Sequence, residues 1–159
     1  MLDSLRQFLA DLTATNGDPR LAFDDGDYRL AATALLIHTI SIDGKPSDLE
    51  TRKLHLLLEQ RFNLDPGGAD QLIEAATRVE GKAVDIYHFT SRLMRSLDER
   101  GRARIVEMMW ELVYADGRVS EFEESVVWRA ADLLGVSSAE RIALKHRVAG
   151  TGLAPDAAS

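Results

Sequence analysis

The chain has 159 residues, a net charge of −7 at pH 7 and no cysteine. The negative charge disfavours nonspecific binding to nucleic acid or to anionic membrane, because both are polyanions. The absence of cysteine excludes a disulfide, a thiolate nucleophile and a cysteine metal site. Apolar residues make up 45% and charged residues 28%, which is typical of one soluble globular domain. No apolar stretch reaches the roughly 18 residues that span a bilayer, and the first residues do not resemble a signal peptide.

Helical periodicity covers nearly the whole chain, and no segment alternates as a strand would. Apolar residues at helical spacing from Leu2 to Leu12 predict an amphipathic first helix, which a linker joins to residue 28. Capping residues and glycines place further helices at about 28–42, 47–62, 66–79, 85–97, 99–115, 120–134 and 137–149. We expect Gly81 to end the fourth helix, and we expect the small, polar tail 150–159 to be disordered.

A short motif occurs twice in this pattern. Residues 43–50 are Asp-Gly-Lys-Pro-Ser-Asp-Leu-Glu and residues 116–123 are Asp-Gly-Arg-Val-Ser-Glu-Phe-Glu. An apolar run precedes each copy and a helical pattern follows it, which predicts two repeats over about 28–80 and 100–149, joined by the helix at 85–97. Their apolar faces would pack about an approximate twofold axis. The predicted fold is an all-α, single-domain bundle of about eight helices, built from two pseudo-twofold helix–loop–helix repeats within residues 28–149.

The first interpretation of the motif is structural. Ser47 with Glu50, and Ser120 with Glu123, fit the Ser-x-x-Glu capping box, in which each side chain accepts a backbone N–H of the other residue. The glycines, Gly44 and Gly117, would adopt the positive φ that ends the preceding helix. The aspartates that precede them would fold back onto nearby N–H groups.

The second interpretation is a divalent-cation site. Asp-Gly-x5-Glu matches part of an EF-hand loop, but the first and third loop positions lack carboxylates in both copies, so neither copy alone supplies the roughly six to eight oxygens that calcium needs. If the two loops met, they would offer one shared carboxylate site made of Asp43, Glu50, Asp116 and Glu123. His38 and Glu111 occupy equivalent places in the preceding apolar runs, and each is either a ligand or a buried hydrogen-bonding group. Calcium, magnesium, manganese or zinc are the candidate ions.

Five arginines lie between residues 92 and 104, in a stretch that also holds acidic residues. The first interpretation is a solvated face paired with Asp98, Glu99 and Glu107, and the alternative is a docking patch for an acidic partner. The arginines are Arg92, Arg95, Arg100, Arg102 and Arg104. The two tryptophans, Trp110 and Trp128, stand at apolar helical positions, and we expect both in the core.

The doubled Asp-Gly, Ser-x-x-Glu motif between helices resembles the TerB-like tellurite-resistance family, whose fold also occurs in the N-terminal domain of DjlA-type membrane-anchored co-chaperones. The resemblance covers residues 28–149. It is carried by Ala31-Ala32-Thr33-Ala34-Leu35-Leu36, Asp43-Gly44, Glu50, Phe62-Asn63-Leu64, Tyr114-Ala115-Asp116-Gly117, Glu123 and Leu133-Leu134-Gly135-Val136.

This resemblance implies a pseudo-twofold helical fold and a role in stress response or in membrane-associated complexes. Together with the lack of a catalytic motif, it favours a non-enzymatic binding or adaptor protein of a cytoplasmic, tellurite-resistance-type system, with a protein partner. The alternative is a divalent-cation-binding regulator that uses the loop carboxylates, and a metal-dependent hydrolase has the least support. The amphipathic first helix, with its net charge of about −1, is expected to pack on its own bundle or on a second copy of the chain rather than on membrane.

Overall fold

The computed structural model describes residues 27–83 and 85–152. The predicted first helix, Leu2–Leu12, and the residues after 152 lie outside these ranges. Within them the chain forms seven helices and no strand, which confirms the all-helical class. The helices are α1 (Tyr28–Ser41), α2 (Asp48–Arg61), α3 (Pro66–Lys82), α4 (Tyr87–Ser96), α5 (Glu99–Val113), α6 (Glu121–Leu133) and α7 (Ser138–Gly152). None of these helices has both the length and the apolar content that a bilayer span requires.

Side-chain caps fix most helix starts where the sequence predicts them. Asp65 accepts from the Gly68 N–H at 2.7 Å, and Asp98 accepts from the Gly101 N–H at 2.8 Å. Asp85 accepts from the Tyr87 N–H at 2.6 Å, just before α4. Such caps satisfy N–H groups that lack a partner within the helix.

Two helix ends differ from the prediction. α3 continues through Gly81 to Lys82 although a glycine inside a helix costs about 1 kcal/mol, because Val79 packs against the core and Glu80 contacts His38 in this last turn. At the other end, α7 extends to Gly152, so the first residues of the predicted disordered tail are helical.

Two helices form the centre of the core. α1 is buried on almost all sides, from Leu30 to Ile40, as expected of a helix that is apolar all round. α5 buries a similar set that includes Trp110, whose side chain is fully enclosed. α1 packs against α2, α3, α4, α5 and α6, and α5 also packs against α2, α6 and α7. The peripheral helices therefore leave the loops after α1 and α5 at the surface. That the two three-helix units superpose stays a prediction.

Candidate functional site

The two Asp-Gly loops are built in the same way. Gly44 has a φ of 127° and Gly117 a φ of 79°, which is a backbone region that favours glycine. Each loop then leads to a serine that caps the next helix, Ser47 for α2 and Ser120 for α6. In both copies the glycine reverses the direction of the chain, and the next helix begins with acidic residues in its first turn.

Both predicted capping boxes are present. The Ser47 N–H donates to Glu50 Oε1 at 2.9 Å, and the Glu50 N–H donates to Ser47 Oγ at 3.1 Å. In the second copy the Ser120 N–H donates to Glu123 Oε1 at 3.0 Å, and the Glu123 N–H donates to Ser120 Oγ at 3.0 Å. Each glutamate therefore has one carboxyl oxygen held by its own helix start.

The same two glutamates also contact each other. Glu50 and Glu123 are the two buried acidic side chains among the described residues, and their carboxyl groups lie close enough to interact directly. Burial raises the pKa of Glu123 to about 7, and the hydrogen bond that protonated Glu123 donates to Glu50, together with the charges of Glu50 and Asp43, adds to this effect. The Ser120 N–H acts in the opposite direction. A hydrogen bond between two carboxyl groups requires one proton, so near neutral pH this pair exchanges a proton with solvent.

The two loop aspartates are placed differently. Asp43 is near enough to Glu123 for its charge to act on that carboxyl group. Asp116 Oδ1 instead accepts from the Arg118 N–H at 3.1 Å, which is the backbone-directed turn that the sequence predicts. The structure thus brings together Glu50 and Glu123, with Asp43 beside them.

The equivalent residues His38 and Glu111 have partners elsewhere. His38 Nδ1 lies 3.2 Å from Glu80 Oε1, which links α1 to α3. Glu111 accepts a hydrogen bond from Arg61, which links α5 to α2. Within residues 27–83 and 85–152, no three His, Asp or Glu side chains are grouped so that they could hold a metal ion. The metal site predicted from the sequence stays a prediction. Its six residues are Asp43, Glu50, Asp116, Glu123, His38 and Glu111.

Sequence reasoning missed a network of charges at the outer face of α5. Arg61 Nη1 lies 3.9 Å from Glu107 Oε1, and Arg147 Nη2 lies 3.2 Å from Glu107 Oε2. These side chains line a cleft of about 390 Å³ together with Lys53 and Tyr114. The acidic residues stand on one face of α5, but no local pattern tells which basic residues of other helices will meet them.

At least one of the arginines between residues 92 and 104 has a structural role. Arg102 Nε donates to the Leu134 carbonyl at 3.0 Å, and its Nη1 donates to the Leu97 carbonyl at 2.8 Å. This side chain ties the start of α5 to the end of α6, so the interpretation as a solvated face is wrong for Arg102. Trp110 lies in the core as predicted, while Trp128 is half-buried with the Arg141 guanidinium 4.2 Å from its ring centre.

Three exposed apolar side chains were not singled out by the sequence. Ile42, Leu49 and Phe122 are 39%, 50% and 64% exposed. Each directly precedes one acidic residue of the cluster, namely Asp43, Glu50 and Glu123. The sequence did contain a signal for two of them. Leu49 and Phe122 are apolar residues at the same motif position, in the first turn after the capping serine.

Comparison with known proteins agrees with this architecture. The family model described as "Tellurite resistance protein TerB" matches residues 29–146. This range contains the first residues of helices α2 to α7. Searches among curated proteins and among solved structures gave no match. The chain therefore belongs to the TerB family, and this membership associates it with tellurite resistance.

Proposed function

We propose that the chain is a non-enzymatic binding protein, an adaptor in a cytoplasmic tellurite-resistance-type system. The observation that carries this proposal is the set of exposed apolar side chains Ile42, Leu49 and Phe122 around the paired glutamates. We call these three residues, with the two loops 43–50 and 116–123, the loop-end surface. Family membership supports the link to tellurite resistance, and the loop-end surface offers a partner protein a place to bind.

The acidic groups at the loop end favour binding over catalysis. Glu50 accepts the Ser47 N–H with one carboxyl oxygen, and Glu123 accepts the Ser120 N–H in the same way. The two carboxyl groups also interact with each other. A general base or a nucleophile needs a carboxylate that can reach a substrate. These glutamates instead hold the loops in shape, so that their neighbours Leu49 and Phe122 project outwards.

Aromatic side chains, phenylalanine among them, are enriched at protein interfaces. A few central residues supply most of the binding free energy of an interface. Phe122 is the most exposed of the large apolar side chains in the described part of the chain. A partner that covers Phe122 and Leu49 would remove that apolar area from water.

Photocrosslinking in cells tests this proposal. A photoreactive phenylalanine analogue is placed at position 122 and, in a matched control, at position 56. Leu56 is also half exposed, but it belongs to α2 and to neither loop. We expect a discrete crosslinked product from position 122 that the Leu49→Ser substitution reduces, and none of the same size from position 56. The same products from both positions, or none from position 122, would contradict the proposal.

A second candidate function is that of a divalent-cation-binding regulator. The contact between the Glu50 and Glu123 carboxyl groups favours it, because a cation at that point would replace the shared proton and offset the repulsion. Asp43 supplies further negative charge nearby. The residues named for this role are Asp43, Glu50, Asp116 and Glu123, with His38 and Glu111 as more distant candidates.

A further inference from the structure

We propose that the partner of the loop-end surface is a basic amphipathic helix, with apolar side chains on one face and lysine or arginine beside them. This inference rests on the proposed adaptor function. It follows from the position of the exposed apolar residues, each of which stands next to an acidic residue of the cluster. Exposed apolar side chains beside negative charge are complementary to that kind of segment.

The charge of the loops is distinctly negative. The two loops 43–50 and 116–123 together contain six acidic residues and two basic residues. Asp43, Asp48 and Glu121 are exposed, so their charges face solvent at this end of the molecule. Lys45 and Arg118 are also exposed and offset only part of that charge.

The same charge argues against other occupants. A second copy of the chain would place one acidic surface against another, within a dimer of two molecules that each carry −7. The N-terminal residues 1–26 of the chain itself contain five aspartates and two arginines and so are acidic. Nucleic acid and anionic lipid are repelled for the same reason. A basic protein segment is the partner class whose charge attracts it to this surface.

Binding should depend on both the apolar and the acidic parts of the surface. The hydrophobic contact requires Leu49 and Phe122, whereas the charges speed association and make it sensitive to salt. Loss of a central aromatic anchor typically weakens an interface by about tenfold or more. The double variant Leu49→Ser/Phe122→Ser should therefore bind at least about tenfold more weakly than the wild type.

The experiment uses the full chain and two fluorescently labelled model peptides. One peptide presents leucine on one helical face and lysine on the other, and the second has glutamate in place of every lysine. We expect the leucine–lysine peptide to bind in an anisotropy titration, the leucine–glutamate peptide not to bind, and affinity to fall as salt is raised. The matched control Leu56→Ser, whose side chain is as exposed as Leu49, should bind like the wild type. Thermal unfolding of each variant verifies that it is folded.

The outcomes separate this inference from the proposed function. Failure of the leucine–lysine peptide to bind, or equal binding of the leucine–glutamate peptide, overturns the partner chemistry. Equal loss of binding in Leu49→Ser/Phe122→Ser and Leu56→Ser, or no loss in either, overturns the assignment to the loop-end surface. Photocrosslinking from position 122 tests the adaptor function without any assumption about charge, so a crosslink in cells without peptide binding rejects only the basic helix.

Discussion

Glu50 and Glu123 each occupy the third position of a different helix, and their buried carboxyl groups interact with each other. Each glutamate thus connects its own helix start to the other loop. Because the pair requires one proton, the arrangement links the conformation of both Asp-Gly loops to pH. This contact also places the neighbouring residues Leu49 and Phe122 at the same end of the bundle.

The shared proton makes stability depend on pH. The pKa of Glu123 rises from 4.5 to about 7 on folding, so the folded state holds a proton that the unfolded state releases. The stabilisation is full below pH 4.5 and is lost as the pH rises to about 7. We expect the loss to be on the order of 1–2 kcal/mol, after allowance for solvent screening. Chemical denaturation of the wild type across this range measures it.

Glu123→Gln provides the control for that pH effect. The glutamine oxygen can still accept from the Ser120 N–H, and its amide can donate to Glu50 without a proton. We expect the variant to lose most of the pH dependence between 4.5 and 7 and to be more stable than the wild type above pH 7. Parallel stability curves for the two proteins would show that the pair does not share a proton.

The two capping serines should make similar contributions to stability. Ser47→Ala and Ser120→Ala each remove the oxygen that accepts a backbone N–H in the first turn, at 3.1 Å and 3.0 Å. We expect each substitution to lower the free energy of unfolding by about 1 kcal/mol. Ser125→Ala, at an exposed position within α6, should be neutral or slightly stabilising because alanine is the better helix former. An effect of Ser125→Ala as large as that of the caps would contradict this assignment.

Arg102 and Arg104 should differ although they belong to the same basic run. Arg102→Met leaves the Leu134 and Leu97 carbonyls without this donor, and hydrogen bonds from charged groups are worth about 1.5–3 kcal/mol each. We expect a loss of at least about 2 kcal/mol in the free energy of unfolding. Arg104→Met, at an exposed position of the same helix, should change it by less than about 0.5 kcal/mol. Equal losses in thermal or urea unfolding would argue against the structural role of Arg102.

Local features of this chain were predictable because their causes are local. A capping box involves residues three positions apart, such as Ser47 and Glu50, so the sequence alone specifies it. The positive φ of Gly117 follows in the same way from the end of α5. Gly81 shows the limit of such rules, because α3 continues past it where Val79 and Glu80 contact other parts of the molecule.

Contacts between helices were predictable only in part. The doubled motif suggested that Glu50 and Glu123 would meet, but no spacing rule fixes the distance between their carboxyl groups. The partners of His38 and Glu111 are Glu80 and Arg61, which lie on other helices and match no pattern around the two predicted residues. Exposure is likewise a tertiary property, which is why Phe122 was not distinguished from a core residue by its sequence position.

Metal titration tests the second candidate function. If a cation binds between the Glu50 and Glu123 carboxyl groups, it binds only the folded state and raises stability by RT ln(1 + [L]/Kd), which is about 2.7 kcal/mol at a hundredfold excess over Kd. Chelator-treated protein is titrated with calcium, magnesium, manganese and zinc in a calorimeter, and its thermal unfolding is followed in parallel. This function predicts heat with at least one cation and release of a proton on binding, because the ion displaces the proton of the pair.

Substitutions locate any such cation. Asp43→Asn and Glu123→Gln should each weaken binding at the paired glutamates, whereas Asp116→Asn should weaken it only if Asp116 is itself a ligand. His38→Ala should weaken the binding of zinc and leave the binding of the other three cations unchanged, because imidazole is a preferred zinc ligand. If neither heat nor a shift in thermal unfolding appears with any of the four cations, the paired glutamates serve as helix caps that share a proton, and cation-dependent regulation at this site is rejected.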